Sequence, residues 1–370
     1  MNTQTIKIVF CANSSWYLYN FRKSTIQEFI SAGYDIYCIA PEDDYSKNLE
    51  SMGVTFSSFK FHSNSLNPFK EIITLLNLIK IYLKIRQDYT FNFTPKMNIY
   101  SSLAAQLVNS KIINNISGLG SAFLKKSIFS FFIMLLYRIS NLKVKKIFFQ
   151  NKKDMNLFLE KNIVHDSKCE LINGSGVDLN EFYFSEMTNG NTIRFILMCR
   201  LIKEKGVYLF AEAAKELKKE FPKKLEFVIA GFIDNQKKDA VTMDQINEWQ
   251  KDGILNYLGP LEDVKNELSK SHCAVLPTFY PEGLPKFLLE SAAMGKIIVA
   301  SNSPGCSEVV DDDINGYLCE PQSLTSLTNS LKKVIKLSSK ERNEMSIRSR
   351  LKAEKMFSDK VIIGKYLDCI

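Results

Sequence analysis

Residues 281–295 read PEGLPKFLLESAAMG, two residues after the largely apolar run CAVLPT at 273–278. A short, mostly apolar run suits a strand buried on both faces, and the residues after it suit a proline-bracketed turn leading into an apolar helix. A strand that passes through a turn straight into a helix is the repeating unit of a parallel sheet. Inside the helix Glu290 sits among Leu288, Leu289, Ala292 and Ala293, and Glu282 stands just before it. In such sheets ligands bind where strands end and helices begin, because helix N-termini carry unpaired N–H groups and partial positive charge. Pro285 suits the first helical position, and the amides around Leu284 and Lys286 would face an anion. Two acceptor-only carboxylates beside that anion suit a ligand rich in hydroxyls, a ribose or a hexose. The plainer alternative makes Glu282 a first-turn carboxylate favouring the helix dipole and Glu290 a solvated residue. The apolar neighbours of Glu290 weigh against it there.

Outward from this stretch the same alternation recurs. IKIVFCA (6–12) and YDIYCIAP (34–41) read as strands around a helix, NFRKSTIQEFISAG (20–33), that ends at Gly33. Residues 67–87 read as a helix with Ile72, Leu75, Leu76, Ile79 and Leu83 at helical spacing. Polar turn formers, YFSEMTNGNT at 183–192, interrupt the pattern before IRFILMCR (193–200) opens a fresh strand. A helix (209–221), a strand (225–231), a short helix (265–272) and a strand (296–301) come next, with a lysine-rich helical region from Leu324. A chain of 370 residues exceeds the usual single core. The expected division is a domain over 1–182, a linker over 183–192, a second domain over 193–350 and a C-terminal helix over 351–370 that could cross back to the first. Each domain is α/β, a Rossmann-like doubly wound parallel sheet.

Composition excludes disorder and repeats: 45% of residues are hydrophobic, 24% charged, with 16 Gly and 10 Pro. The eight cysteines are scattered without metal-ligand spacing and read as free thiols in a reducing compartment. The N-terminus lacks the pattern of a signal peptide, and no run is long enough to span a bilayer. Cytoplasmic placement is the expectation. The formal charge of +8 is uneven, because residues 1–182 hold 21 Lys+Arg against 14 Asp+Glu. No acid occurs between Asp88 and Asp154, a stretch that carries ten basic residues. Such a field favours an anionic partner.

A second junction, RLIKEKGVYLF at 200–210, places Arg200 and Lys205 in a loop ahead of Gly206. Two cations at a helix N-terminus oppose its dipole unless a polyanion, such as a diphosphate, lies between them. Taken alone, KEK is equally a solvated turn with Arg200 paired to a surface acid.

Arg200, Lys205 and Gly206, the pair Glu282 and Glu290 eight residues apart, and the string Gly176, Val177, Asp178 and Phe182 together resemble family 4 glycosyltransferases of the GT-B fold. NFRK (20–23), SLNPF (65–69), TPKMNIYSSLAA (94–105) and SGLGSAF (117–123) resemble the bacterial branch of that family that assembles O-antigen, capsule and lipid-linked oligosaccharides. The resemblance implies two Rossmann-like domains facing a central cleft, a nucleotide-sugar donor and no essential metal or other cofactor. Carried onto this chain, Arg200 and Lys205 hold the donor diphosphate as it leaves, and Glu282 meets hydroxyls of the transferred sugar. Gly283, Leu284, Pro285, Lys286 and Gly231 line the donor, and Glu290 binds the ribose. Arg22, Lys96, Gly118 and Gly120 fall in the acceptor region. Retention at the anomeric carbon is implied, without a protein nucleophile. This chain departs from the family by having no histidine in FTPKMNIY and by replacing the glycine-rich loop after the first strand with NSSWYLYNF (13–21), an aromatic wall for the acceptor or simple packing. The acidic clusters Glu42, Asp43, Asp44 and Asp311, Asp312, Asp313 read as loops.

FLKKSIFSFFIMLLYRISNLKVKK (123–146) has an apolar middle and basic edges. It reads as an interfacial helix that contacts anionic inner-membrane lipid through Lys125, Lys126, Phe129, Phe132 and Arg138, with a core helix as the alternative. The expected reaction moves a hexose or N-acetylhexosamine from a UDP-sugar to a polyprenyl-diphosphate-linked saccharide, with no part for nucleic acid. A GT-B epimerase or hydrolase and a non-catalytic basic scaffold are the rivals.

Overall fold

In the computed structural model, residues 5–61, 67–118, 128–187, 192–222, 224–234, 239–280 and 282–370 are described. The chain divides into two compact units, Met1–Ser175 with Asp359–Ile370, and Gly176–Ser358. The divisions fall at 175/176 and 358/359, whereas the sequence pattern suggested a linker at 183–192 and a separate segment from 351.

The first unit holds strands β1 (Lys7–Cys11), β2 (Asp35–Ile39), β3 (Thr55–Ser57), β4 (Tyr89–Phe93), β5 (Lys111–Ile116), β6 (Val144–Phe149) and β7 (Cys169–Leu171). They form one sheet in the order β3-β2-β1-β4-β5-β6-β7, every pairing parallel. Its helices are α1 (Ser15–Ser31), α2 (Ser46–Glu50), α3 (Pro68–Ile85), α4 (Pro95–Leu107), α5 (Ile128–Ser140) and α6 (Lys152–Glu160).

Helix α1 starts within the aromatic string, because the Ser14 hydroxyl accepts from the Tyr17 amide at 3.1 Å and caps it. The helix stops before Gly33, whose φ of +87° suits glycine. WYLYNF is therefore helical, with Tyr17 and Phe21 stacked at 4.9 Å.

Helix α3 is where the spacing placed a helix, but its buried face is not the one those spaced residues mark. Its buried residues are Thr74, Leu78, Tyr82 and Ile85, whereas Ile72, Leu76 and Leu83 are more than half exposed. The helix is apolar around most of its circumference, so spacing alone allows two faces. The buried one is where the Tyr82 hydroxyl meets Ser101 of α4 and where Leu78 and Tyr82 join the cluster of Met97, Ile112 and Tyr137.

The second unit holds β8 (Ile193–Met198), β9 (Leu225–Ala230), β10 (Asn256–Tyr257), β11 (Cys273–Leu276), β12 (Ile297–Ser301) and β13 (Gly316–Cys319), ordered β10-β9-β8-β11-β12-β13 and parallel throughout. Helices α7 (Val207–Glu220), α8 (Met243–Lys251), α9 (Val264–Ser269), α10 (Lys286–Ala293), α11 (Leu324–Lys336) and α12 (Ser339–Lys352) cover it, and α13 (Asp359–Leu367) belongs to the first unit. Chain order reverses between β8 and β11, which are neighbours in the sheet. The loops after these two strands therefore emerge side by side, the crevice at which open α/β sheets bind ligands.

Candidate active site

Those two loops carry Arg200 and Glu282. After β8 the chain makes a short 3-10 turn, Lys203–Lys205, and enters α7 through Gly206 at φ +79°. A side chain at Gly206 would bring its Cβ within 2.2 Å of the Pro277 carbonyl, so glycine lets the two loops touch. The contact is sealed by backbone bonds from the amides of Phe279 and Tyr280 to the Glu204 carbonyl, at 2.9 and 3.1 Å.

At this junction Lys205 Nζ pairs with Glu282 Oε1, both side chains nearly buried. Thr278 Oγ1 donates to the Glu204 carbonyl at 3.0 Å and lies 3.4 Å from Glu282 Oε1. Arg200 Nη1 lies 3.5 Å from Asp234 Oδ2. The ring of Tyr280 is shared by both cations, 5.8 Å from the Arg200 guanidinium and 5.2 Å from Lys205 Nζ. Each cation thus has a carboxylate partner and the same aromatic ring nearby, an arrangement that holds two like charges close together.

Glu290 lies in the middle of α10 and is only 7% exposed. Burial pushes its carboxyl above the ordinary glutamate range, and Lys286, one turn back at 3.2 Å, pulls the other way. Pro285 takes the N-cap position one residue before the helix. Leu284 turns its side chain into the apolar cluster with Leu288 and Ile298, so it cannot reach a ligand by that side chain. Gly231 gives its amide to the Gly259 carbonyl at 2.9 Å, and a Cβ there would fall 1.8 Å from the Cys199 carbonyl. Glycine at this position therefore lets β9 end directly against the Arg200 loop. Burial pushes the thiols of Cys199 and Cys306 up to about 12, so neither is a thiolate nucleophile at neutral pH. All eight cysteines are free.

The string at 176–182 is architectural. Val177 donates to the Phe357 carbonyl, Asp178 Oδ1 accepts from the amides of Asn180 and Glu181, and Phe182 is buried. The 311–313 acids are likewise engaged: Asp311 with Lys352 at 2.8 Å, Asp312 with the Leu318 amide at 2.8 Å, and Asp313 with Lys333 at 3.4 Å. His272 is buried, its Nδ1 accepting from the Arg194 amide at 3.2 Å.

In the first unit Arg22 is a correction. It is 1% exposed, bonded to the hydroxyls of Tyr366 and Tyr17 at 3.1 and 3.2 Å, with its guanidinium 4.3 Å from the centre of the Phe93 ring. It ties α1 to α13 inside the unit and does not reach an acceptor. Lys96 pairs with Glu71 at 2.7 Å. Gly118 has φ +131°, while Gly120, Lys125, Lys126 and the side chain of Phe129 lie outside the described residues. Phe132 is 56% exposed on α5. Arg138 is exposed too, but its Nε and Nη2 are committed to the carbonyls of Asn162 and Lys161 at 3.1 and 2.8 Å. It therefore closes the end of α6, a task its place in the sequence did not suggest.

Four participants are not evident from the sequence: Tyr280, Thr278, Asp234 and Gly305. Two of them lie just before Glu282 in the strand-to-helix junction, and Asp234 comes after the end of β9 as Arg200 comes after β8. Gly305 is marked only by the turn SNSPG after β12. A Cβ on it would meet the Gly283 carbonyl at 1.6 Å, so its loop packs directly on the Glu282 turn.

Residues 180–352 match the family model described as glycosyl transferases group 1, and residues 7–151 match the one described as glycosyl transferase 4-like. Among curated proteins, the N,N'-diacetylbacillosaminyl-diphospho-undecaprenol alpha-1,3-N-acetylgalactosaminyltransferase of Campylobacter jejuni is 26% identical over 343 residues, 88% of each chain. The UDP-Gal:alpha-D-GlcNAc-diphosphoundecaprenol alpha-1,3-galactosyltransferase of Escherichia coli is 25% identical over 283 residues, 73% of this chain and 72% of that one. Among solved structures, Anabaena HepE in complex with UDP has a TM-score of 0.79 at 15% identity, covering 98% of this chain and 99% of its own. A glycosyltransferase from Rickettsia africae has a TM-score of 0.78 at 18% identity, covering 99% and 97%. The GT-B fold expected from the sequence is the fold of this chain, and the matches favour transfer over the epimerase and scaffold rivals. With one glycosyltransferase model over each half and relatives of the same kind along most of its length, the chain belongs to the group 1, family 4-like glycosyltransferases, and it is an enzyme.

Proposed function

We propose that the enzyme moves a hexose or N-acetylhexosamine from a UDP-sugar to a saccharide carried on a polyprenyl diphosphate, in building a bacterial surface polysaccharide. Retention at the anomeric carbon and independence of an essential metal are part of the reading. The observation that carries it is the clustering of Arg200 and Lys205 around Tyr280, against Asp234 and Glu282, with Glu290 buried in the helix that follows Glu282. Arg200 and Lys205 receive the donor diphosphate and stabilise the charge that grows on it as it leaves. Glu282, released from Lys205, accepts from hydroxyls of the transferred sugar, and Glu290 accepts from the ribose. The bond from the anomeric carbon to the phosphate oxygen breaks and the bond to the acceptor oxygen forms on the same face. The acceptor's proton passes to the departing phosphate, so no protein nucleophile is required.

Both curated relatives act, by their names, on saccharides attached to diphospho-undecaprenol, and one takes UDP-galactose. HepE binds UDP. A lipid-borne acceptor fits the outer face of α5, where Phe131, Phe132, Leu135 and Ile139 are exposed beside the basic stretch at 143–146. No helix among the described residues is long and apolar enough to cross a membrane, so the proposed attachment is peripheral, at the inner face of the cell membrane. The test incubates purified enzyme with radiolabelled UDP-, GDP- and ADP-sugars and vesicles bearing polyprenyl-diphosphate saccharides, with and without EDTA. Label should enter the organic-extractable lipid from a UDP-sugar, equally in both conditions. Label confined to free sugar, or dependence on added metal, would refute the respective part.

A further inference from the structure

The outward face of α3 is a second apolar surface, and the lipid-contact reading of α5 does not include it. Phe69 is 78% exposed, Leu76 58%, and Ile72, Ile73 and Leu83 each 53%. With Lys80 and Lys84 they fall at 69, 72, 73, 76, 80, 83 and 84, the spacing of one continuous helical seam. Residues 71, 74, 78, 82 and 85 take the opposite seam, and 74, 78, 82 and 85 are buried. Isolated exposed leucines need no explanation, but five large apolar side chains on one seam of an 18-residue helix do.

Charge decides what covers them. Lys70, Lys80 and Lys84 are exposed along the edge of the seam, and no carboxylate of the described residues pairs with any of them. The one acid of the helix, Glu71, is turned inward to Lys96 at 2.7 Å. The outer surface of α3 is thus apolar and cationic with no negative group. A second copy of the chain meeting this face about a two-fold axis would bring its lysines towards these, and lysine is depleted from the cores of protein interfaces. An anionic lipid surface has the matching chemistry: an apolar interior for Phe69, Ile72, Ile73, Leu76 and Leu83, and headgroups for ammonium groups at the ends of flexible stems. Helix α3 packs on α4, and α4 on α5, and their inner residues share one cluster. The seam therefore lies on the side of the first sheet that also carries α5.

We propose that α3 is an interfacial helix that lies on anionic membrane through the seam from Phe69 to Leu83. This deepens the membrane reading given above and rests on it, by adding a helix whose contribution can be removed separately. Whole enzyme is sedimented with vesicles of neutral phosphatidylcholine, with and without anionic phosphatidylglycerol. Wild-type chain is compared with Ile72→Asp/Leu76→Asp on α3, Lys80→Glu/Lys84→Glu on its edge, and Phe132→Asp on α5. All substituted positions are exposed, and an unchanged circular dichroism spectrum and thermal unfolding transition in each variant show that the first unit is intact. The apolar double variant should lower the partition coefficient on anionic vesicles at least tenfold. The charge variant should lower it by about fivefold or more per lysine, and only on anionic vesicles. Wild-type binding by the α3 variants alongside release of Phe132→Asp would overturn the inference and leave the α5 reading standing. No vesicle binding by the wild-type chain would overturn both. A wild-type dimer that the α3 variants convert to monomer would also overturn it, by assigning the seam to self-association.

Discussion

Replacing Glu290 by glutamine separates the cost of burying its charge from the use made of that charge. The carboxyl is 7% exposed and raised above its ordinary range by burial, with Lys286 at 3.2 Å only partly opposing this. An acid raised in the folded state favours its protonated form there. Folding stability is therefore full below the ordinary glutamate pKa and falls as pH rises through the titration of Glu290. At pH 8 the wild-type enzyme carries that cost and Glu290→Gln does not, while Lys286, about a third exposed, can turn to water. Thermal unfolding should show the variant with the higher Tm at pH 8 and a difference that shrinks towards pH 5. Donor binding runs the other way, since the ribose hydroxyls donate to an ionised carboxylate. A hydrogen bond to a charged group contributes about 1.5–3 kcal/mol, so UDP should bind the variant about 10- to 150-fold more weakly by titration calorimetry at pH 8. In the wild-type enzyme the affinity should decline as pH falls, and in the variant it should be nearly flat. An unchanged UDP affinity would refute the ribose assignment. A lower Tm at pH 8 would refute the claim that burial outweighs the Lys286 pair.

Tyr280→Leu removes the ring shared by Arg200 and Lys205 and should weaken UDP binding by roughly 5- to 30-fold at low salt, from two cation–π contacts of about 0.5–1 kcal/mol each. Tyr280→Phe should restore it; a phenylalanine variant as weak as leucine would assign the effect to the hydroxyl instead. Gly206→Ala places a Cβ 2.2 Å from the Pro277 carbonyl at a φ of +79°. It should lower the unfolding free energy in urea by about 2 kcal/mol or more at constant slope and impair UDP binding with it; unchanged stability would show that the loops do not need this approach. Arg200→Ala should lower kcat by about 100- to 1000-fold while leaving the fold intact; a change in KM alone would restrict the residue to ground-state binding.

The two-unit parallel α/β plan was legible because strand-length apolar runs alternate with amphipathic helices, a pattern set by local periods. Glu290 was legible for a related reason: a carboxylate among Leu288, Leu289, Ala292 and Ala293 breaks the apolar pattern of its own helix. Arg200, Lys205 and Glu282 could be placed at strand ends, but not paired. Lys205 meets Glu282 only because β8 and β11, 77 residues of chain apart at these side chains, lie side by side in the sheet.

Where a residue has two plausible environments, only tertiary contact chose between them. Arg22 in NFRK is as cationic as any ligand-binding arginine, yet Phe93, Tyr17 and Tyr366 close around it, and Tyr366 arrives from the far end of the chain. Gly231 and Gly305 are ordinary turn glycines in the sequence, and the backbone that passes within 2 Å of where each Cβ would stand belongs to a different strand's loop. Helix α3 is apolar on both sides, so its period announced a helix without saying which seam would meet the sheet. Sequence alone determined which segments are strands and helices and which carboxylates and cations stand at their junctions, because those arise from local chemistry. Which of those groups touch, and which apolar face is left for a partner, was decided by packing between segments far apart in the chain.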